Sequence, residues 1–167
     1  MPDNETVRDR IRREKEQKLV RQRQWCGILR EAIATGRAAG EQSTPTPMIV
    51  YDANLDGSPR EGGTVYAPVM DGVCGFAWVE LYPHDTDTRR FVNWLTGKQA
   101  PAAADCDPTA ILGDFGRAGK KYGTGYDIWI YAFNQSMTRK ECAARAIASK
   151  LREGVPGLKV YANSRMD

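Results

Sequence analysis

No proline interrupts residues 5–39, and glycine enters that stretch only at Gly27 and Gly36. Arg, Glu, Lys, Gln, Leu and Ala dominate it, and these residues lose little side-chain freedom in a helix. Acid-before-base pairs four apart, such as Glu14 with Lys18, add support. The stretch predicts one long helix over roughly 5–38. Its first half offers only Val7 and Ile11 as an apolar face. In its second half Leu19, Cys26, Leu29 and Ile33 fall near helical spacing, with Trp25 and Ile28 beside them. The C-terminal half should therefore pack on the body of the protein, and the N-terminal half should project or meet a partner.

Charge sorts with this helix. Residues 1–40 hold ten Lys/Arg against six Asp/Glu, whereas the remainder holds fourteen against fifteen. The basic character belongs to the N-terminal segment and hints at an anionic partner for it. Arg8, Arg12, Arg13, Lys15, Lys18, Arg21 and Arg23 are the candidate contacts. They spread around the helix among Asp9, Glu14 and Glu16, whereas nucleic-acid helices concentrate charge on one face. A protein partner or assembly is the leading expectation, with nucleic acid as the alternative.

Pro45 and Pro47 then force an extended connection. The expected organisation is a long basic helix over 1–40, a proline-containing linker over 41–47 and one compact α/β domain over 48–167. Within the domain, MIVY and TVYAPVM (64–70) read as strands, the latter an edge strand because of Pro68. Asp71-Gly72 is a turn pair leading into VCGFAWVELY (73–82), a strand apolar enough to be covered on both faces. A short helix over 88–96, capped from Asp85, Thr86 or Asp87 and closed by Gly97, comes next. Residues 99–110 and the glycine-punctuated 111–125 read as loops. YDIWIYAF (126–133) is a strand. A helix to about Glu153 follows, with Thr138 and Glu141 as a capping box and Ala143, Ala146, Ile147 and Leu151 facing inward. LKVYA (158–162) is a final strand. The fold class is α+β, or α/β: a mixed sheet with helices mainly on one face, preceded by the long helix.

The four cysteines, Cys26, Cys74, Cys106 and Cys142, form no CxxC pair, so a zinc ribbon and a thioredoxin-like site are excluded. The N-terminus has no apolar signal region, and no run reaches bilayer-spanning length. The expected location is the cytoplasm of the host cell, or a virion. The 113–125 stretch lacks the spacing of a phosphate loop, because Lys121 follows Gly119-Lys120 where Ser or Thr is needed. Arg117, Lys120, Lys121 and Tyr122 could still touch an anionic backbone. His84 stands alone, ten residues from Cys74 along a strand. Trp78, Trp94, Trp129, Tyr126 and Tyr131 occupy positions that suit a core. A stacking platform for single strands needs exposed aromatics with basic neighbours, and 126–133 has no Lys or Arg.

The loop DANLDGSPREGG (52–63) opens like a calcium loop, but position twelve is Gly63 where a bidentate Glu belongs. A looser calcium site would draw on Asp52, Asn54, Asp56 and Glu61. The main reading is a polar turn. With no assembled catalytic set, the leading expectation is a non-enzymatic binding protein. A small enzyme or metal-dependent factor using the 52–61 or 113–125 loop is the alternative.

Three stretches, DGVCGFAWV, YDIWIYAFNQSMTRKECAARAIASKL and KVYANSRMD, resemble small uncharacterised proteins encoded by tailed bacteriophages. The resemblance spans 64–167 and leaves out the N-terminal helix. It implies a phage-type origin and brings no activity or site residues with it.

Overall fold

The structure, a computed structural model, describes residues 6–167. The first five residues of the expected 1–40 segment lie outside them. Helix α1 (Val7–Gln42) opens on Thr6, whose side chain accepts from Asp9 N. It confirms the long helix and runs slightly past the expected end. Its residues from Gln22 onward contribute Trp25, Cys26, Leu29, Ala32 and Ile33 to the core, while most of the stretch before Lys18 is exposed. Close approach fixes how α1 sits. A Cβ at Gly36 would lie 2.6 Å from Ile147 in the last helix, so that crossing needs glycine.

The remaining elements are β1 (Gly75–Tyr82), α2 (Thr86–Leu95), a 3-10 turn (Ala104–Cys106), α3 (Pro108–Leu112), β2 (Gly116–Lys120), β3 (Tyr126–Ile130), α4 (Met137–Gly154) and β4 (Lys159–Met166). The strands form one sheet in the order β2-β3-β1-β4, and every neighbouring pair is antiparallel. The α+β class holds. The parallel component expected of a mixed sheet survives only between strands that are not neighbours, such as β3 and β4, which flank β1. Each of the two β-α-β crossovers skips one strand, giving an interleaved β-α-β-β-α-β order.

Local chemistry explains most element ends. Asp85 accepts from Thr88 N at 2.7 Å in a capping box that starts α2, and Gly97 follows its end at φ 73°. Helix α4 departs from expectation. Its cap position is Ser136, not Thr138, and the Ser136 hydroxyl donates to Asp71 O at 2.8 Å, tying the helix start to a distant turn. Ala144, rather than Ala146, completes its buried face. Asp107 caps α3, with Pro108 at its first position.

Helices cover one face of the sheet. Ala77, Val79 and Leu81 of β1, Ile128 and Ile130 of β3 and Val160 of β4 point into it. Trp25, Phe91 and Trp94 pack against one another with centroids 5.7–5.8 Å apart, joining α1 to α2. Buried Gln22 is satisfied by the 100–102 segment, accepting from Ala102 N at 2.6 Å. Trp94 is a core residue, as expected, and donates its Nε1–H to Cys106 O at 2.9 Å.

Residues 48–70 differ from expectation. They pair antiparallel with each other through isolated bridges (Met48 with Val69, Tyr51 with Val65, Ala53 with Pro59) and do not join the main sheet. MIVY and TVYAPVM are therefore two legs of an exposed excursion, not regular strands. Asp71-Gly72 steers the chain from this excursion into β1 without pairing its two flanking runs. The expected 111–125 loop contains a strand, β2.

Candidate functional site

Among the described residues no helix covers the other face of the sheet. Successive side chains of a strand point to opposite faces. Phe76, Trp78, Glu80 and Tyr82 of β1 therefore share this face with Asp127 and Trp129 of β3, Arg117, Gly119 and Lys121 next to or on β2, and Tyr161, Asn163 and Arg165 of β4. Strand β1 is thus covered on one face only. Trp78 and Trp129 are not core residues, contrary to the sequence expectation. They are half-buried, lie directly opposite each other on the two central strands and stack with centroids 5.0 Å apart and planes 20° apart.

The sequence-level objection to a stacking platform, a lack of basic neighbours along 126–133, does not survive the tertiary structure. The neighbours come from other strands. Arg117 is the cross-strand partner of Trp129, and Arg165 lies opposite Phe76 with its guanidinium 5.4 Å from the ring centroid. Arg117 and Arg165 line a groove of about 670 Å³ with Trp78, Trp129, Tyr131, Lys120, Lys121, Tyr122 and Asp127. Tyr122, Tyr131 and Tyr161 are exposed around it.

Two carboxylates lie at the centre of this face, Glu80 opposite Asp127 and each 8% exposed. Each anchors an indole of its own strand. Trp78 Nε1 donates to Glu80 Oε1 and Trp129 Nε1 to Asp127 Oδ2, both at 3.0 Å. Glu80 also accepts from Tyr82 at 2.7 Å and forms an ion pair with Lys121. Burial pushes the Glu80 carboxyl up, but the bonds from Lys121, Trp78 and Tyr82 together outweigh it and hold it at about 2. Burial raises the Asp127 carboxyl above the ordinary value, since the Trp129 bond and the Lys121 charge do not offset it and the facing Glu80 charge adds to it. Carboxylates pushed apart in this way can divide acid and base roles. Here both Glu80 oxygens are already engaged, so its chemistry is structural: it fixes Trp78, Tyr82 and Lys121 in place.

The 113–125 stretch contributes differently from a phosphate loop. A Cβ at Gly116 would meet Trp129 O at 2.2 Å, so glycine there lets β2 pair closely with β3. Gly123 and Gly125 make the β2–β3 turn at φ 89° and 93°. Arg117, Lys120, Lys121 and Tyr122, singled out in the sequence for anion contact, do line the groove.

The other candidate residues lie elsewhere. Arg8, Arg12, Arg13, Lys15 and Arg23 are exposed and Lys18 and Arg21 half-buried on α1, which packs behind the covered face. Arg12 pairs with Asp9 at 2.9 Å and Arg10 with Glu14 at 3.8 Å, so part of the basic charge is spent within the helix. In the 52–63 loop, Asp52 accepts from Thr64 N, Asp56 accepts from Ser58 N and Asn54 donates to Ser58 Oγ, the backbone duties of a turn. Glu61 is exposed. Among the described residues no three His, Cys, Asp or Glu side chains are grouped to hold a metal. Cys74 and His84 sit beyond opposite ends of β1, about 30 Å apart along an extended chain, and form no pair. Burial and the neighbouring Cys106 push the Cys26 thiol up to about 12, which makes it inert. Among the described residues no helix is long and apolar enough to cross a membrane.

The platform had a readable signal. Glu80 shares its strand parity with Trp78, and Asp127 with Trp129, while Val79, Leu81, Ile128 and Ile130 hold the other parity. Carboxylates in phase with the tryptophans mark that phase as the one away from the core. No family model, curated protein or solved structure matches the chain.

Proposed function

We propose that the protein is a non-enzymatic, phage-type binding protein whose uncovered sheet face takes up a single nucleic-acid strand. The observation that carries this reading is the stacked Trp78–Trp129 pair on the two central strands, flanked by Arg117, Arg165 and Lys121. Bases stack on aromatic side chains whatever their sequence, and cations along the rim track the phosphates. Four-stranded sheets bind single-stranded RNA in this way. That likeness is one of architecture, and the side chains carry the reading. The binding role expected from the sequence is kept, and its surface moves from the helix to the sheet.

Tryptophan fluorescence tests it. Thymidine or uridine nonamers should quench the emission, bind more tightly than a duplex of equal length, and weaken as salt rises. Unchanged emission at low salt overturns the reading.

A second reading has its own observation. Val7, Ile11 and Val20 on α1, and Leu55, Val65, Tyr66 and Met70 on the 48–70 excursion, are large apolar side chains left exposed. These segments suit a protein partner or assembly. Removing residues 1–17 should abolish capture of such a partner and leave strand binding intact.

A further inference from the structure

The floor of the groove holds one acceptor that the fold leaves unused. Both Glu80 oxygens are occupied, and Asp127 Oδ2 accepts from Trp129, whereas Asp127 Oδ1 has no hydrogen-bond partner among the described residues. The residue across from Asp127 on β2 is Gly119. A Cβ there would meet nothing within 4 Å, so the space beside Asp127 is open. Arg117 and Lys121 flank Gly119 in sequence and line the same groove, and Trp129 is two residues along the strand from Asp127.

We propose that this gap over Gly119 is a slot for one nucleobase of the bound strand, and that Asp127 makes it select guanine. The inference rests on the strand-binding reading and adds a base preference to it. A carboxylate offers two acceptors and no donor. Guanine alone presents two adjacent donors on its pairing edge, N1–H and the N2 amino group, and meets the fork with both. Cytosine and adenine place a ring-nitrogen acceptor beside the amino group. Uracil and thymine flank one N–H with two carbonyl oxygens. Each of those acceptors would face a carboxylate oxygen and repel it. Asp127 Oδ2 keeps a second lone pair beside its bond to Trp129, so it can take part in the fork. A base above Gly119 would lie beside Asp127, two residues along the sheet from the Arg117–Trp129 pair, with its phosphates near Arg117 and Lys121.

The test uses the full chain and thymidine nonamers carrying one central guanine, adenine or cytosine, which cannot form guanine quadruplexes. The guanine strand should bind about tenfold more tightly than the other three, within the range a bidentate base contact gives. Uridine nonamers with the same replacements should give the same order. In Asp127→Asn the guanine preference should collapse toward one. Gly119→Leu, which fills open space, should keep the wild-type unfolding midpoint and lose the guanine-strand affinity by about tenfold. Equal affinity of the wild-type protein for all four strands, or a preference that persists in Asp127→Asn, overturns the guanine slot while leaving strand binding standing. If no strand binds, both readings fall. Free GMP binding as tightly as the guanine strand overturns the assignment to a strand.

Discussion

The two faces of the sheet use alternate residues of the same four strands, yet they are built on different principles. On the covered face Ala77, Val79, Leu81, Ile128, Ile130 and Val160 are excluded from water by α1, α2 and α4. On the other face Trp78, Trp129, Tyr82 and Phe76 stay half-buried around two carboxylates, and among the described residues no helix lies over them. The first face gains stability by removing apolar surface from water. The second keeps apolar surface and fixed polar groups where a ligand can reach them. One face should therefore fail by unfolding, and the other by losing its ligand.

The largest expected effect lies under the covered face. Phe91→Ala removes a fully buried ring that contacts both Trp25 and Trp94, and should cost about 3–5 kcal/mol by denaturant unfolding. A loss below about 1 kcal/mol would break the contrast between the faces. Acid comes next. Glu80 is held at about 2 against 4.5 when unfolded, so its contribution is complete above pH 4.5 and fades as pH falls toward 2. That contribution should be on the order of 3 kcal/mol. Lys121 is raised above 10.5 by Glu80 and then Tyr82, so its share persists below that value and is lost at higher pH. Glu80→Gln should flatten the acid limb of the stability profile; a profile that matches wild type would show that the Glu80 network does not hold the open face together.

Trp129→Ala sharpens the comparison directly. It should weaken strand binding by about 1–3 kcal/mol per stacked base, measured by fluorescence anisotropy of a labelled nonamer. Its loss of stability should be smaller than that of Phe91→Ala, because Trp129 is only half-buried. The smallest effect concerns neither face. Millimolar calcium should leave the unfolding midpoint unchanged, since Asp52 and Asp56 already serve the 52–63 turn. A midpoint that rises with calcium would restore the metal reading of Asp52, Asn54, Asp56 and Glu61.

Much of this arrangement can be read locally. The run of helix formers fixed α1, Asp85 and Gly97 bracketed α2, and strict alternation marked 126–130 as a strand. Each of these signals acts over a few residues. Strand β2 was not legible, because GRAGK has little strand propensity of its own and glycine serves there to let β3 approach. The start of α4 lies two residues before the local capping signal at Thr138, where Ser136 bonds to Asp71, a partner 65 residues away that no local pattern reveals.

The same division applies to the site. By itself the sequence determined that Trp78 shares a face with Glu80, and Trp129 with Asp127, since alternation is a property of each strand alone. Tertiary structure decided that β1 and β3 are neighbours in a register that places Trp78 on Trp129 and Glu80 on Asp127. It also decided that β2 and β4 bring Arg117, Lys121 and Arg165 to the rim, and that the helices take the other face. Strand order and register are set by packing of the whole chain, which is why the stretch 126–133, free of Lys and Arg, lies at the centre of a groove rimmed by cations.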